Sequence, residues 1–252
     1  MAHTTLSVVI PAYNEAARLE STLRALQTAT SGLDIEVIVI DDGSTDHTSA
    51  VAEATLRSDV DRVVRLGTNS GKGAAVRAGV LRSRGDAVLY MDADLATDLA
   101  ALPEFIRALD RADVVVGSRT LPDAVVRDGT ADRAAMAWVF NRIVHLTTGI
   151  ECRDTQCGFK ALRGPVAREM FALARCDRFA FDVEILLLAR RLGFDVIEMP
   201  VVWTAVEGSS VRRVADSFQA AADVLRMAAR WTPRGVARAV ERSGTGPLPV
   251  DG

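Results

Sequence analysis

Short apolar runs and helical stripes take turns along the first half of this chain. Leu6-Ser-Val-Val-Ile10, closed by Pro11, predicts a buried strand. Residues 14–29 predict a helix, with Leu19, Leu23 and Leu26 at helical spacing. Ile35-Glu-Val-Ile-Val-Ile40 is a second β-branched run, stopped by Asp41-Asp42-Gly43-Ser44, and a helix follows over 45–58. The series continues with a strand over 62–66, a helix over 71–83 and the strand Ala87-Val-Leu-Tyr-Met91, closed by Asp92. A helix over 100–111 and a strand over 113–117 complete it. Strands alternating with helices imply βαβ units, hence an α/β fold whose mostly parallel sheet is covered on both faces. Ligands of such sheets bind beyond the carboxyl ends of the strands. Polar clusters stand at those ends: Pro11-Ala-Tyr-Asn-Glu15, Asp41–Ser44 and Asp92-Ala-Asp94.

After Gly117 the rhythm changes. Residues 118–132 read as a long polar loop, a length often functional in compact domains. Helices are predicted over 132–148, 164–173 and 182–192, a turn-rich segment over 154–160 and a strand over 195–202. Residues 212–230 predict a further helix with Val214, Phe218, Ala221, Leu225 and Ala228 on one stripe. A tail over 233–252, with several Pro and Gly, is expected to fray. With no internal repeat or linker, residues 1–232 read as one domain whose halves divide near residue 117.

Composition narrows the class. Of 252 residues, 49% are hydrophobic and 25% charged, which excludes a disordered chain. A net charge of −3 argues against a general nucleic-acid binder. The three Cys (152, 157, 176) and three His (3, 47, 145) show no metal-ligand spacing, so free thiols in a reducing compartment are expected. Met1-Ala-His-Thr-Thr has no basic or apolar leader, and no run of about 18 apolar residues exists. The expectation is a cytoplasmic protein without a membrane span.

Three motifs carry chemistry. Asp92-Ala-Asp94 puts two carboxylates where the chain leaves the sheet, and they can converge on a hard cation such as Mg²⁺ or Mn²⁺. A bare Asp-x-Asp is more often a solvated turn; its place at a strand end is what favours the metal. Asp41-Asp42-Gly43-Ser44 fits a tight turn with a helix cap, or a carboxylate on a nucleoside. Asn69-Ser-Gly71-Lys72-Gly73 opens a helix with a Gly-rich turn and a Lys, a natural anion cradle. It is neither a Walker loop, because Gly73 follows Lys72, nor a dinucleotide fingerprint, because Val76 stands where the third Gly belongs. No Gly-x-Ser-x-Gly elbow occurs.

Taken in order, Ser7-Val-Val-Ile-Pro-Ala-Tyr-Asn-Glu15, Ile40-Asp-Asp-Gly-Ser44, Asn69-Ser-Gly-Lys-Gly73 and Met91-Asp-Ala-Asp94 resemble the signature series of the family 2 inverting glycosyltransferases. Asp92-Ala-Asp-Leu-Ala-Thr97, Asp154-Thr-Gln-Cys-Gly-Phe-Lys160 and Pro200-Val-Val-Trp-Thr-Ala-Val-Glu-Gly-Ser209 narrow the resemblance to the dolichyl-phosphate β-glucosyltransferases. The resemblance implies a GT-A fold, with a nucleotide-sugar half (1–117) and an acceptor half (118–232). It implies glucose transfer from UDP-glucose to a polyprenyl monophosphate. The GDP-mannose-dependent dolichyl-phosphate mannose synthases are the runner-up. Carried over, Pro11, Tyr13, Glu15 and Asp42 hold the nucleoside, and Lys72 lies by the ribose and diphosphate. Asp92 contacts donor and metal, and Asp94 is the principal metal ligand. Arg119 and Arg133 bind the acceptor phosphate, and Gln156 sits near the sugar or acceptor.

The chain also departs from the pattern. The N-terminal anchor usual in eukaryotic members is not expected here, and Ser210 stands where a basic residue usually follows Glu207-Gly-Ser209. Residues 205–242 hold seven Arg against four acids, so the C-terminal helix can lie on an anionic bilayer at the cytoplasmic membrane face. Its stripe is small and rich in Ala, which favours packing on the sheet or on a second copy in a homodimer. An acceptor bearing a hydroxyl is a further alternative, and it would require a carboxylate base, Asp154 or Asp182. A nucleotide-sugar-binding protein without turnover is disfavoured by the intact Asp92/Asp94 pair and Lys72.

Overall fold

Successive residues of each central strand point to opposite faces of one sheet. Val8, Ile10, Val37, Val39, Leu89 and Met91 enter one apolar cluster; Val9, Ile38, Ile40, Val88 and Tyr90 enter the other. A sheet apolar on both faces must be covered on both, and here helices cover each. The computed structural model describes residues 5–57, 59–206 and 215–243, and for 131–133, 215–218 and 243 the backbone alone.

In chain order the elements are β1 (Leu6–Ala12), α1 (Ala16–Ala29), β2 (Ile35–Asp41), α2 (Thr48–Thr55), β3 (Arg62–Arg65), α3 (Lys72–Val80) and β4 (Ala87–Met91). A 3-10 turn (Leu99–Ala101) leads into α4 (Leu102–Ala108), followed by β5 (Val114–Ser118), β6 (Val125–Arg127), α5 (Ala131–Thr148) and β7 (Phe159–Arg163). Then come α6 (Gly164–Leu173), α7 (Phe181–Leu192), β8 (Val196–Pro200), β9 (Val202–Thr204), α8 (Ala215–Arg230) and α9 (Pro233–Ser243). The main sheet runs β3-β2-β1-β4-β7-β5-β8. All its pairs are parallel except those of β7, which is antiparallel to both β4 and β5. Helices α1, α2 and α4 cover one face; α3 and α6–α9 cover the other.

Several expectations change. The segment 154–160, read as turns, runs into β7, because Phe159, Ala161 and Leu162 are buried on the two faces. The single strand expected over 195–202 divides at Val201: β8 pairs with β5, while β9 pairs with β6 inside the supposed loop. Helix α8 buries Ala220, Val224 and Met227 and leaves Leu225 exposed, so the stripe through Ala221, Leu225 and Ala228 does not set its packing. Val214 lies outside the described residues, as does the side chain of Phe218. The tail expected to fray from residue 233 begins with helix α9, which buries Val236 in the core. Pro233 at its first position fits a helix start, since no partner is needed for an N–H there. Among the described residues no helix is long and apolar enough to cross a membrane.

Candidate functional site

The carboxyl ends of β1, β2 and β4 form one edge, and side chains tie them together. Asn14, at φ 56°, receives a bond from Thr45 N on its Oδ1 (2.9 Å), and its own N–H donates to Ser44 Oγ (2.9 Å). Glu15 N donates to Thr48 Oγ1 (2.9 Å). These bonds fix the Pro11–Glu15 turn against the turn after β2. Pro11 is still within β1, Tyr13 is exposed, and Glu15 faces Arg18 at 2.8 Å.

Asp42 is buried, and its two oxygens accept Ser70 N (2.7 Å) and Gly71 N (2.8 Å). Burial raises its pKa despite those bonds. Its carboxylate therefore shapes the Gly-rich turn, and only its remaining lone pairs can meet a nucleoside. The turn is equally tight against residues 176–178. A Cβ on Gly71, which has φ 104°, would come within 2.3 Å of Asp177 O, and one on Gly73 within 2.3 Å of Cys176 O. Ala74 N is engaged by Asp177 O (3.1 Å). So the amides of Ser70, Gly71 and Ala74 are spent on the protein, and the charge the cradle offers is Lys72.

Lys72 Nζ pairs with Asp92 Oδ1 at 2.5 Å. Burial pulls the Lys72 pKa down, but the charges of Asp92 and Asp182 outweigh it and hold the ammonium protonated. Asp94 lies close enough to feel Asp92: burial first, then that charge, raise its pKa. Glu15 is raised by burial, with Asp94 and Asp92 adding to it. Three carboxylates thus crowd one edge, and a cation is what relieves them. Among the described residues no group of three or more His, Cys, Asp and Glu converges in metal-holding geometry. The Asp92/Asp94 pair nonetheless fits a hard cation that takes the rest of its shell from substrate oxygens.

Across β7 lies the second half of the edge. Arg119, just after β5, grips Asp154 through Nε (2.7 Å) and Nη2 (2.8 Å), and its N–H adds a third bond (2.9 Å). Its guanidinium stacks 5.4 Å from the Trp203 ring. Three of its five N–H donors have no partner among the described residues. The charge of Asp92 reaches Arg119, which links the halves. The Gln156 amide nitrogen is buried and has no hydrogen-bond partner among the described residues. Arg133 is on α5, and its side chain lies outside the described residues. A cavity of about 790 Å³ opens beside Arg119 and Asp154, walled by Val126, Ala137, Trp138 and Trp203.

A model of the family described as "Glycosyl transferase family 2" matches residues 7–171. The chain belongs to glycosyl transferase family 2. This family 2 chain is 36% identical over 245 residues to a dolichyl-phosphate beta-glucosyltransferase of Dictyostelium discoideum, covering 90% of the chain and 74% of that protein. It is 36% identical over 244 residues to the Mus musculus protein of the same name, covering 90% and 75%. Among solved structures, glucosyl-3-phosphoglycerate synthase of Mycobacterium tuberculosis with Mn²⁺, UDP and phosphoglyceric acid matches with a TM-score of 0.69 and 25% identity. The match covers 90% of this chain and 79% of that one.

Sequence reasoning passed over Gly158 and Lys160. A Cβ on Gly158 would stand 2.1 Å from Asp92 Oδ2, so Asp92 is seated against β7. The atom to be displaced is the end of a side chain, which can move without unfolding anything. Gly158→Ala is therefore expected to shift the melting temperature by less than about 3 °C. Moving that carboxylate should slow glycosyl transfer by about 10–100-fold. Melting and transfer rates measured on one preparation check both. The signal for Lys160 was present: a lone Lys inside Phe159-Lys160-Ala161-Leu162 is out of place in a buried run.

Proposed function

We infer that this protein transfers glucose from UDP-glucose to a polyprenyl monophosphate with inversion, with Mg²⁺ or Mn²⁺ held by Asp92 and Asp94. The observation that carries the reading is that neither candidate base on the acceptor side is available. Asp154 is clamped by Arg119, which against the cost of burial holds its pKa below the usual carboxylate range. Asp182 is fully buried on Lys160 and Tyr90. A hydroxyl acceptor needs a base to take its proton. A phosphate monoester needs none, being largely ionised at neutral pH with a second pKa of about 6.

The chemistry is then positioning and charge. A phosphate oxygen attacks the anomeric carbon as the bond from that carbon to the UDP oxygen breaks, and one displacement turns an α-linked donor into a β-phosphodiester. Lys72 stabilises the negative charge developing on the leaving diphosphate. When bound, the cation supplies Lewis-acid stabilisation of that same charge. The unpartnered donors of Arg119, with Arg133, orient the acceptor phosphate. Pro11, Tyr13, Glu15 and Asp42 hold the nucleoside, and the Gln156 amide meets the sugar or the acceptor. Supporting a lipid acceptor, the cavity wall includes Val126 and Trp138, large apolar side chains that are exposed. That face would rest on a membrane, the protein being peripheral on its cytoplasmic side. Support for the donor and the metals comes from the UDP and Mn²⁺ held by the glucosyl-3-phosphoglycerate synthase.

The test supplies radiolabelled UDP-glucose or GDP-mannose with polyprenyl phosphate and Mg²⁺ or Mn²⁺, then extracts into organic solvent. Label from UDP-glucose should enter the organic phase and vanish with chelator. Label only from GDP-mannose overturns the donor. Label moving only to water-soluble acceptors overturns the lipid.

A further inference from the structure

A charged pair lies buried directly beneath the site. Lys160, fully buried on β7, donates from Nζ to Asp182 Oδ1 (2.5 Å) and to the Cys157 carbonyl (2.6 Å). The Tyr90 hydroxyl donates to the same Asp182 oxygen (2.9 Å), and Lys160 Nζ lies 5.6 Å from the Tyr90 ring. Lys160 stands opposite Tyr90 in the β4–β7 register and opposite Val116 in β5–β7. Tyr90 and Val116 both belong to the apolar cluster on that face. A buried ion pair is a weak source of stability, and well-packed apolar side chains commonly replace one without loss. Filling the core therefore does not explain this pair.

Its connections do. Tyr90 is two residues before Asp92 on β4. The Cys157 carbonyl immediately precedes Gly158, the residue against which the Asp92 carboxylate is seated. Asp182 opens α7 next to Phe181, whose Cβ would be 2.7 Å from a Cβ on Gly73, and Lys72 Nζ lies 5.9 Å from the Phe181 ring. One carboxylate thus joins the three elements that meet around the Asp92–Lys72 pair: the end of β4, the entry to β7 and the start of α7. We propose that Lys160, Asp182 and Tyr90 form a buried brace of positioning residues that sets where Asp92 and Lys72 meet the donor diphosphate. None of the three touches the reacting atoms; each acts through Asp92 or Lys72. The inference rests on the donor reading given above.

The test uses the full chain with Lys160→Met/Asp182→Asn, which leaves no buried charge unpaired, and Tyr90→Phe, which keeps volume. Three quantities are measured: melting, UDP binding in Mn²⁺ by calorimetry, and kcat. The double variant should melt cooperatively yet lose about 10–100-fold in kcat and bind UDP several-fold more weakly. Tyr90→Phe should lose kcat about threefold or more, with a melting shift under about 3 °C. A folded double variant with wild-type kcat and UDP affinity overturns the brace. If the double variant does not fold, wild-type kcat in Tyr90→Phe overturns it. Wild-type protein that binds no UDP in Mn²⁺ refutes the donor reading instead, so the two failures are separable.

Discussion

Asp94→Ala should lower transfer from UDP-glucose by on the order of 10³-fold while the protein stays folded. A cation beside a departing diphosphate contributes several kcal/mol to transition-state stabilisation. Each 1.4 kcal/mol or so is a factor of ten in rate. The fold has little stake in this side chain, which accepts a local hydrogen bond from Ala96 N at 3.1 Å. Burial and the charge of Asp92 both act against an ionised Asp94, so its removal relieves a repulsion. The measurement is the initial rate with varied Mn²⁺, alongside melting. A folded Asp94→Ala protein with near wild-type turnover and unchanged Mn²⁺ dependence would mean that Asp94 holds no catalytic metal.

Arg119→Met should cost more in stability than any surface change. Its partner Asp154 is 2% exposed, and a buried carboxylate deprived of its cation typically costs about 3–5 kcal/mol. For a chain of this length that lowers the melting temperature by roughly 10 °C. Adding Asp154→Asn should recover much of the loss, because no charge is then left stranded. Acid titration gives an independent reading. Arg119 outweighs burial and holds the Asp154 pKa below its unfolded value of about 3.9. The stabilisation is therefore fully present above that value and is lost as pH falls toward the lower folded one. The melting advantage of wild type over Asp154→Asn should be widest near neutrality and shrink below about pH 4. A difference that stays constant across that range would show that the charge of Asp154 is not what stabilises.

The pairing of Arg119 with Asp154 also marks how far sequence reasoning reached. Arg119 was named only through the family resemblance, as an acceptor-phosphate residue, and Asp154 stood in a turn-rich segment. Nothing local joined them, since 35 positions separate them. Asp42 was legible as a strand-end carboxylate, but its commitment to the amides of Ser70 and Gly71 was not. The β7 strand was hidden because Asp154-Thr-Gln-Cys-Gly158 reads as turn, and the strand after it is only five residues long. The α8 stripe was placed on the wrong residues because Trp231, just past the expected helix end, extends the buried series of Ala220, Val224 and Met227. Its indole donates to buried Glu184 (2.7 Å), which also receives Arg175 N and Cys176 N.

By itself the sequence determined the alternation of strands and helices, the polar edge at the carboxyl ends of the strands and the residues that stand there. These follow from local periodicity and from polar residues where apolar runs stop, which the chain carries over windows of ten or so positions. Only the tertiary structure decided the antiparallel entry of β7, the seat of Asp92 on Gly158, and which cation answers which acid. Lys72 and Asp92 are 20 positions apart, Arg119 and Asp154 35, and Asp92 and Gly158 66. A carboxylate's partner depends on which strands become neighbours, and that is settled by packing the whole sheet, not by any one segment of it.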